Sequence, residues 1–168
     1  MAFLLLAGTA GVRAQQCDVP QIGAQVFVEP GQTPEDIDGF FRLLHDNGMK
    51  VARIRMFGAH MYRGGEWDFS LYDEAFRAAD KYGVRLFATL FPVTDDLNDV
   101  GGFKFPRSKA HLREIDDYIT AVVSHFRQYE SLWTWVLQNE PGSGGTRVAM
   151  TDLAREVYDR WLADFSPG

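Results

Sequence analysis

The sequence predicts an α/β fold made of the first four βα units of a (β/α)8 TIM barrel, a half barrel. Three observations point there. A strand-like apolar run is followed by a helix-like periodic run four times over. Strands begin near residues 22, 51, 84 and 132, at intervals of roughly 29, 33 and 48 residues, near the length of one βα unit. Val84 to Phe91 is almost continuously apolar, as in a parallel sheet covered on both faces. An open doubly wound sheet is the competing solution. A nucleotide-binding sheet of that kind needs G-x-G-x-x-G after its first strand, and here that position reads Glu29-Pro30-Gly31-Gln32.

Each element has its own signals. Ile22 to Val28 is a strand stopped by Glu29-Pro30-Gly31. Thr33 caps a helix with Pro34 in its first position and Glu35 and Asp36 in its first turn. Ile37, Phe40, Phe41 and Leu44 mark its apolar face, and Asn47-Gly48 closes it. In the strand Val51–Phe57, Ala52, Ile54 and Met56 share one face, while Arg53, Arg55 and Phe57 share the other. Residues 58–69 form a loop holding His60, Tyr62 and Trp67. Ser70 with Asp73 reads as a capping box, before a helix marked by Tyr72, Ala75, Phe76, Ala79 and Tyr82 and ended by Gly83. Residues 93–107 are a long loop after Pro92. Ser108 opens a helix whose stripe is Leu112, Ile115, Ile119, Val122, Val123 and Phe126. The fourth strand lies in Leu132 to Gly142. A Gly142–Gly145 loop and Thr151 lead to a last helix with Leu153, Val157, Trp161 and Phe165 on one face.

Composition narrows the function. The chain has 168 residues, 46% hydrophobic and 24% charged, with net charge -6, a globular composition with one sizeable core. The acidic balance and the lack of a basic stripe argue against nucleic acid and anionic membrane as partners. No apolar run reaches transmembrane length. The single Cys17 excludes an internal disulfide and any multi-cysteine zinc site. His45, His60, His111 and His125 lack metal-ligand spacing. Residues 1–14 read as a signal peptide: Phe3 to Ala10 is apolar and Val12-Arg13-Ala14 resembles a cleavage site, although no Lys or Arg precedes Arg13. Residues 15–21 are then a leader, and the expected location is secreted or periplasmic.

In either α/β architecture, function lies at the C-terminal ends of the strands. Those ends carry Glu29, Phe57-Gly58, Phe91-Pro92 and Asn139-Glu140. Glu140 follows an aromatic strand and sits beside an amide, which makes it a candidate general acid/base. The plainer reading is a strand-ending turn with a solvated Glu. Arg53 and Arg55 must face something polar or anionic, because unpaired buried charge is costly. The plainer alternative is a solvated edge strand. Asp95, Asp96 and Asp99 miss the calcium-loop spacing, so a solvated loop is expected. Phe103 and Phe105 read as packing. The glycines 142–145 before a helix allow a phosphate-binding alternative, with no Lys after them to support it.

Three stretches taken in order carry a family resemblance: Asn47-Gly48-Met49-Lys50-Val51-Ala52-Arg53-Ile54, Trp67-Asp68-Phe69-Ser70-Leu71-Tyr72-Asp73, and Trp135-Val136-Leu137-Gln138-Asn139-Glu140-Pro141. Over about residues 22–142 the chain resembles the catalytic barrels of the clan A retaining glycoside hydrolases, most closely β-galactosidase-type enzymes such as glycoside hydrolase family 42. The resemblance implies that Glu140 is the acid/base and that Asn139 holds the sugar 2-hydroxyl. It implies that Arg53 lies beneath the nucleophile and keeps it ionised, as a neighbouring cation does. Arg55 has no counterpart in it. The substrate implied is an oligo- or polysaccharide, with no cofactor and no metal. The nucleophile, a Glu ending strand seven in that family, has no position in residues 1–168. The chain is therefore expected to be half of a catalytic domain spanning 22–168 and beyond. Alone it should be inactive and poorly soluble or self-pairing. A non-catalytic carbohydrate-binding remnant is the alternative.

Overall fold

A computed structural model describes residues 21–92, 108–139 and 152–165. In chain order the elements are β1 (Gly23–Val26), α1 (Pro34–Asp46), β2 (Val51–Phe57), α2 (Gly58–Met61), β3 (Tyr62–Arg63), β4 (Glu66–Trp67), α3 (Ser70–Tyr82), β5 (Arg85–Phe91), α4 (Lys109–Phe126), β6 (Leu132–Val136) and α5 (Asp152–Phe165). Four strands make one sheet in the order β1-β2-β5-β6, and every pairing in it is parallel. Each connection that joins neighbouring strands of this sheet carries a helix, so the βα reading holds for the described strands. The expected loop 58–69 instead contains the short helix α2 and an antiparallel hairpin, β3 with β4. Gly64 and Gly65 turn that hairpin at φ 61° and 91°, angles that glycine adopts without strain.

Caps place the helices. Thr33 Oγ1 accepts from Asp36 N–H while Asp36 Oδ2 accepts from Thr33 N–H at 2.9 Å, a complete capping box. Ser108 Oγ accepts from His111 N–H at 3.2 Å at the start of α4. The capping box at Ser70 and Asp73 is a correction. Phe69 holds the N-cap position without a side-chain bond, and Asp68 Oδ1 accepts from Ser70 N–H at 3.0 Å. Asp73 is engaged elsewhere. Gly83 ends α3 in the left-handed region at φ 64°.

The core lies between the sheet and α1, α3 and α4. Ala52, Ile54 and Met56 of β2 and Leu86, Ala88 and Leu90 of β5 supply its sheet side, with Ile37, Phe41, Phe76, Val122 and Phe126 on the helices. The α4 stripe differs from the expected one. Tyr118, Val122 and Phe126 are the buried residues, and Ile119 is exposed. A single i, i+4 row meets the sheet, and Tyr118 can join it because its hydroxyl is fully used. It donates to Met56 O at 2.5 Å and accepts from Phe91 N–H at 3.2 Å. On α5, Val157 and Trp161 of the expected apolar face are exposed. No described helix is long and apolar enough to cross a membrane.

β2 is interior to the sheet, hydrogen-bonded to β1 on one side and β5 on the other. That removes the solvated-edge explanation for its arginines. Residues 1–20, 93–107, 140–151 and 166–168 lie outside the described residues. The signal peptide, Cys17, the aspartates and phenylalanines of the long loop, and Gly142–Gly145 therefore fall outside them too.

Candidate active site

All four strands of the sheet point their C-terminal ends the same way, so residues distant in sequence meet at one mouth. Arg53 is at the centre of what meets there. It rises from the middle of β2, opposite Phe87 of β5. Its Nε donates to Thr89 Oγ1 at 2.9 Å. Its Nη2 donates to Asn139 Oδ1, just past the end of β6. One guanidinium thus crosses β5 and ties β2 to the residue preceding Glu140. The fork geometry suits this: a guanidinium offers several donors in one plane and no acceptor. With its oxygen engaged by Arg53, the Asn139 amide keeps its NH2 end as a donor.

Two of the three residues expected at the site, Arg53 and Asn139, are brought into contact. Glu140, the third, lies outside the described residues, one position beyond Asn139. Thr89 was not anticipated. Its signal is register: a lone hydroxyl in the apolar run Val84 to Phe91, on the same face as the arginines and fully buried.

Arg55 also has partners on this face. With the Gln25 amide oxygen turned toward it, that oxygen lies 2.7 Å from Arg55 Nε and 2.8 Å from Nη2. The guanidinium carbon sits 4.6 Å from the centre of the Phe27 ring. Lower on the sheet, Arg85 lies over Trp133 at 3.8 Å. The face opposite the core is therefore lined by arginines satisfied by amide, hydroxyl and aromatic groups. At the mouth the floor is apolar: the Phe57 and Phe91 rings are 4.7 Å apart.

Beyond Phe57 stands a titratable group. The His60 ring packs 5.0 Å from Phe57, and its Nδ1 is 3.1 Å from the Tyr72 hydroxyl. Tyr72 is completely buried and accepts from Phe57 N–H at 2.9 Å. Burial pushes the Tyr72 phenol up and holds His60 below the usual imidazole range, against the opposing pull of Glu29. Glu29 Oε2 is 3.8 Å from His60 Nε2. A separate cavity of about 560 Å³ opens between α2, the hairpin and α4, lined by Tyr62, Trp67, Glu114 and Asp117 among others. It lies on the helix side and involves neither Arg53 nor Asn139. No group of three or more His, Cys, Asp or Glu residues among those described is arranged to hold a metal.

No protein-family model and no curated protein matches the chain. Solved structures do. A β-galactosidase from the psychrophilic Marinomonas ef1 superimposes with a TM-score of 0.66 at 16% identity, over 86% of this chain and 25% of that one. The polyextremophilic β-galactosidase of the Antarctic haloarchaeon Halorubrum lacusprofundi gives 0.64 at 19% identity, over 86% and 25%. A family 39 glycoside hydrolase from the gut symbiont Bacteroides cellulosilyticus WH2 gives 0.52 at 19% identity, over 70% and 24%. The chain spans about a quarter of the length of each of these proteins. At such identities the likeness is one of fold: a parallel βα arrangement similar to that of TIM-barrel glycoside hydrolases, with Arg53 and Asn139 joined at its C-terminal mouth.

Proposed function

We propose that this chain is part of the catalytic barrel of a retaining glycoside hydrolase, β-galactosidase-like, acting on the O-glycosyl bonds of oligo- or polysaccharides. The observation that carries the reading is the Arg53–Asn139 contact at the C-terminal ends of parallel strands, in a fold shared with glycosidases. Retaining hydrolysis needs two carboxyl groups about 5–5.5 Å apart, one to protonate the leaving oxygen and one to attack the anomeric carbon. In this reading Glu140 is the proton donor and then the base. The attacking carboxylate comes from a Glu ending the seventh strand of the complete barrel. Arg53 orients Asn139 through its amide oxygen. That leaves the Asn139 NH2 to donate to the sugar 2-hydroxyl, a bond that strengthens as the oxocarbenium-like transition state develops. The positive charge of Arg53 also favours an ionised nucleophile above it. Export, from residues 1–14, would bring the enzyme to extracellular or periplasmic glycans.

The test pairs a protein change with a substrate change, in the product of the complete reading frame. Asn139→Ala should lower kcat/KM on a nitrophenyl β-galactoside by about 10²-fold, the scale of losing one donor to a developing charge. On the matching 2-deoxygalactoside the same substitution should have little effect. Equal losses on both substrates would remove Asn139 from the 2-hydroxyl and the reading would lose its support.

A further inference from the structure

The mouth has a second polar station besides Arg53 and Asn139, at the ends of β1 and β2. Glu29 follows β1. Its backbone N–H donates to Gln32 Oε1 at 2.8 Å, and Gln32 Nε2 donates back to Phe27 O at 3.1 Å, so the turn that carries it is tied at both ends. His60 is held between Phe57 and the near-parallel Tyr72 ring. The Tyr72 phenol has one proton. The oxygen accepts from Phe57 N–H, and among the described residues His60 Nδ1 is the one acceptor in reach of the buried phenol's own hydrogen, so the Tyr72 O–H donates to Nδ1. Nδ1 is then the acceptor nitrogen and Nε2 carries the hydrogen. That N–H faces Glu29 Oε2 across 3.8 Å, too far for a hydrogen bond between them. A fixed donor and a fixed acceptor stand side by side, unused by each other, with the side chain of Glu29 46% exposed.

We propose that Glu29 and His60 together bind sugar hydroxyls, Glu29 accepting a hydroxyl hydrogen and His60 Nε2–H donating to a hydroxyl oxygen. A hydroxyl is the group that both donates and accepts, so one hydroxyl, or two neighbouring ones, fills the gap between them. A cation would satisfy Glu29 and oppose the His60 N–H; an anion would do the reverse. The station sits on the β1–β2 side of the mouth and Asn139 on the β6 side, so the pair reads a different part of the bound glycoside than Asn139 does. The inference rests on the glycoside reading above and adds a second contact set to it.

The experiment is a titration of the product of the complete reading frame, carrying Glu140→Gln so that the ligand is not turned over, with methyl β-D-galactoside, methyl β-D-glucoside and methyl β-D-mannoside, followed by nitrogen–proton NMR of the imidazoles and side-chain amides. The inference expects the Nε2–H tautomer at His60 and a saturable shift of its ring signals. It expects Glu29→Gln to weaken binding about tenfold, as when one charge-assisted hydrogen bond is lost. His60→Phe, which keeps a ring against Phe57 and removes the donor, should weaken binding similarly; since it also leaves the Tyr72 hydroxyl without its acceptor, its fold is checked by circular dichroism. Because Glu29→Gln lies at the surface and leaves the fold alone, it decides the matter if His60→Phe does not fold. Glycosides that shift the Asn139 amide with unchanged affinity in Glu29→Gln overturn the pair and leave the glycoside reading standing. No saturable binding of any glycoside overturns both.

Discussion

Single residues show where polar groups hold the molecule together. Asp73 was expected to cap its own helix. Instead its Oδ1 accepts from His125 Nε2 at 2.7 Å and from the Tyr129 hydroxyl at 2.8 Å, fastening the start of α3 to the end of α4. Asp73→Ala leaves two largely covered donors unpaired. It should cost about 2–3 kcal/mol, seen as a Tm lower by roughly 5–10 °C. Asp73→Asn retains an acceptor oxygen and should cost less; an unchanged Tm in Asp73→Ala would show that the cluster does not bear on stability. At the same scale lies the reason some site residues were legible and others were not. Arg53 announced itself because a charge within an apolar strand needs a partner. The sequence could not say which partner, since Thr89 and Asn139 are 36 and 86 residues away. Gln25, the partner of Arg55, is one polar residue in an apolar run, and only the β1–β2 register turns it toward the arginine.

At the scale of elements, periodicity located every strand of the main sheet and every long helix, because each buries one face against a common core. It missed α2 and the β3–β4 hairpin. These are too short to show a period and are held by Tyr62 and Trp67 packing at 4.8 Å and by the glycine turn between them. The helical stripe on α4 was misread because Leu112, Ile115 and Ile119 offer a competing row at helical spacing; Tyr118 is buried in place of Ile119, its hydroxyl closing two backbone bonds. This arrangement makes the helix-to-sheet packing sensitive to alkali. Burial holds the Tyr72 and Tyr118 phenols well above their usual range, and burial, with Asp73 beside it, pushes Tyr129 up to about 12. A phenol whose pKa is raised by folding contributes stability fully below its unfolded value near 10, and loses it as pH rises through the folded value. Unfolding should therefore set in between about pH 10 and 12, with tyrosinate absorbance and loss of helical ellipticity rising together. Ordinary tyrosine titration with the fold intact would contradict this.

Over the whole molecule, the two faces of the sheet differ in kind. One is covered by α1, α3 and α4 and is almost wholly apolar. The other carries Arg53, Arg55, Arg85, Thr89 and Gln25 among aromatic rings, and it is partly open: Phe27 and Trp133 are each about half exposed. A parallel sheet with an arginine-lined inner face and its polar groups gathered at the C-terminal mouth is how a barrel presents chemistry, and the similarity to β-galactosidases over most of this chain agrees with it. The βα alternation made that architecture readable in the sequence. What remained hidden was the meeting of β1, β2, β5 and β6 at one mouth, because parallel pairing brings together residues that no local pattern connects. The most direct measurement of the central claim is hydrolysis of a nitrophenyl β-galactoside by the product of the complete reading frame, wild type beside Glu140→Gln. The account predicts turnover by the wild type and a loss of about 10²–10⁴-fold in the variant, the contribution of a positioned general acid/base. Turnover unaffected by Glu140→Gln, or no turnover of any glycoside by the wild type, would contradict it.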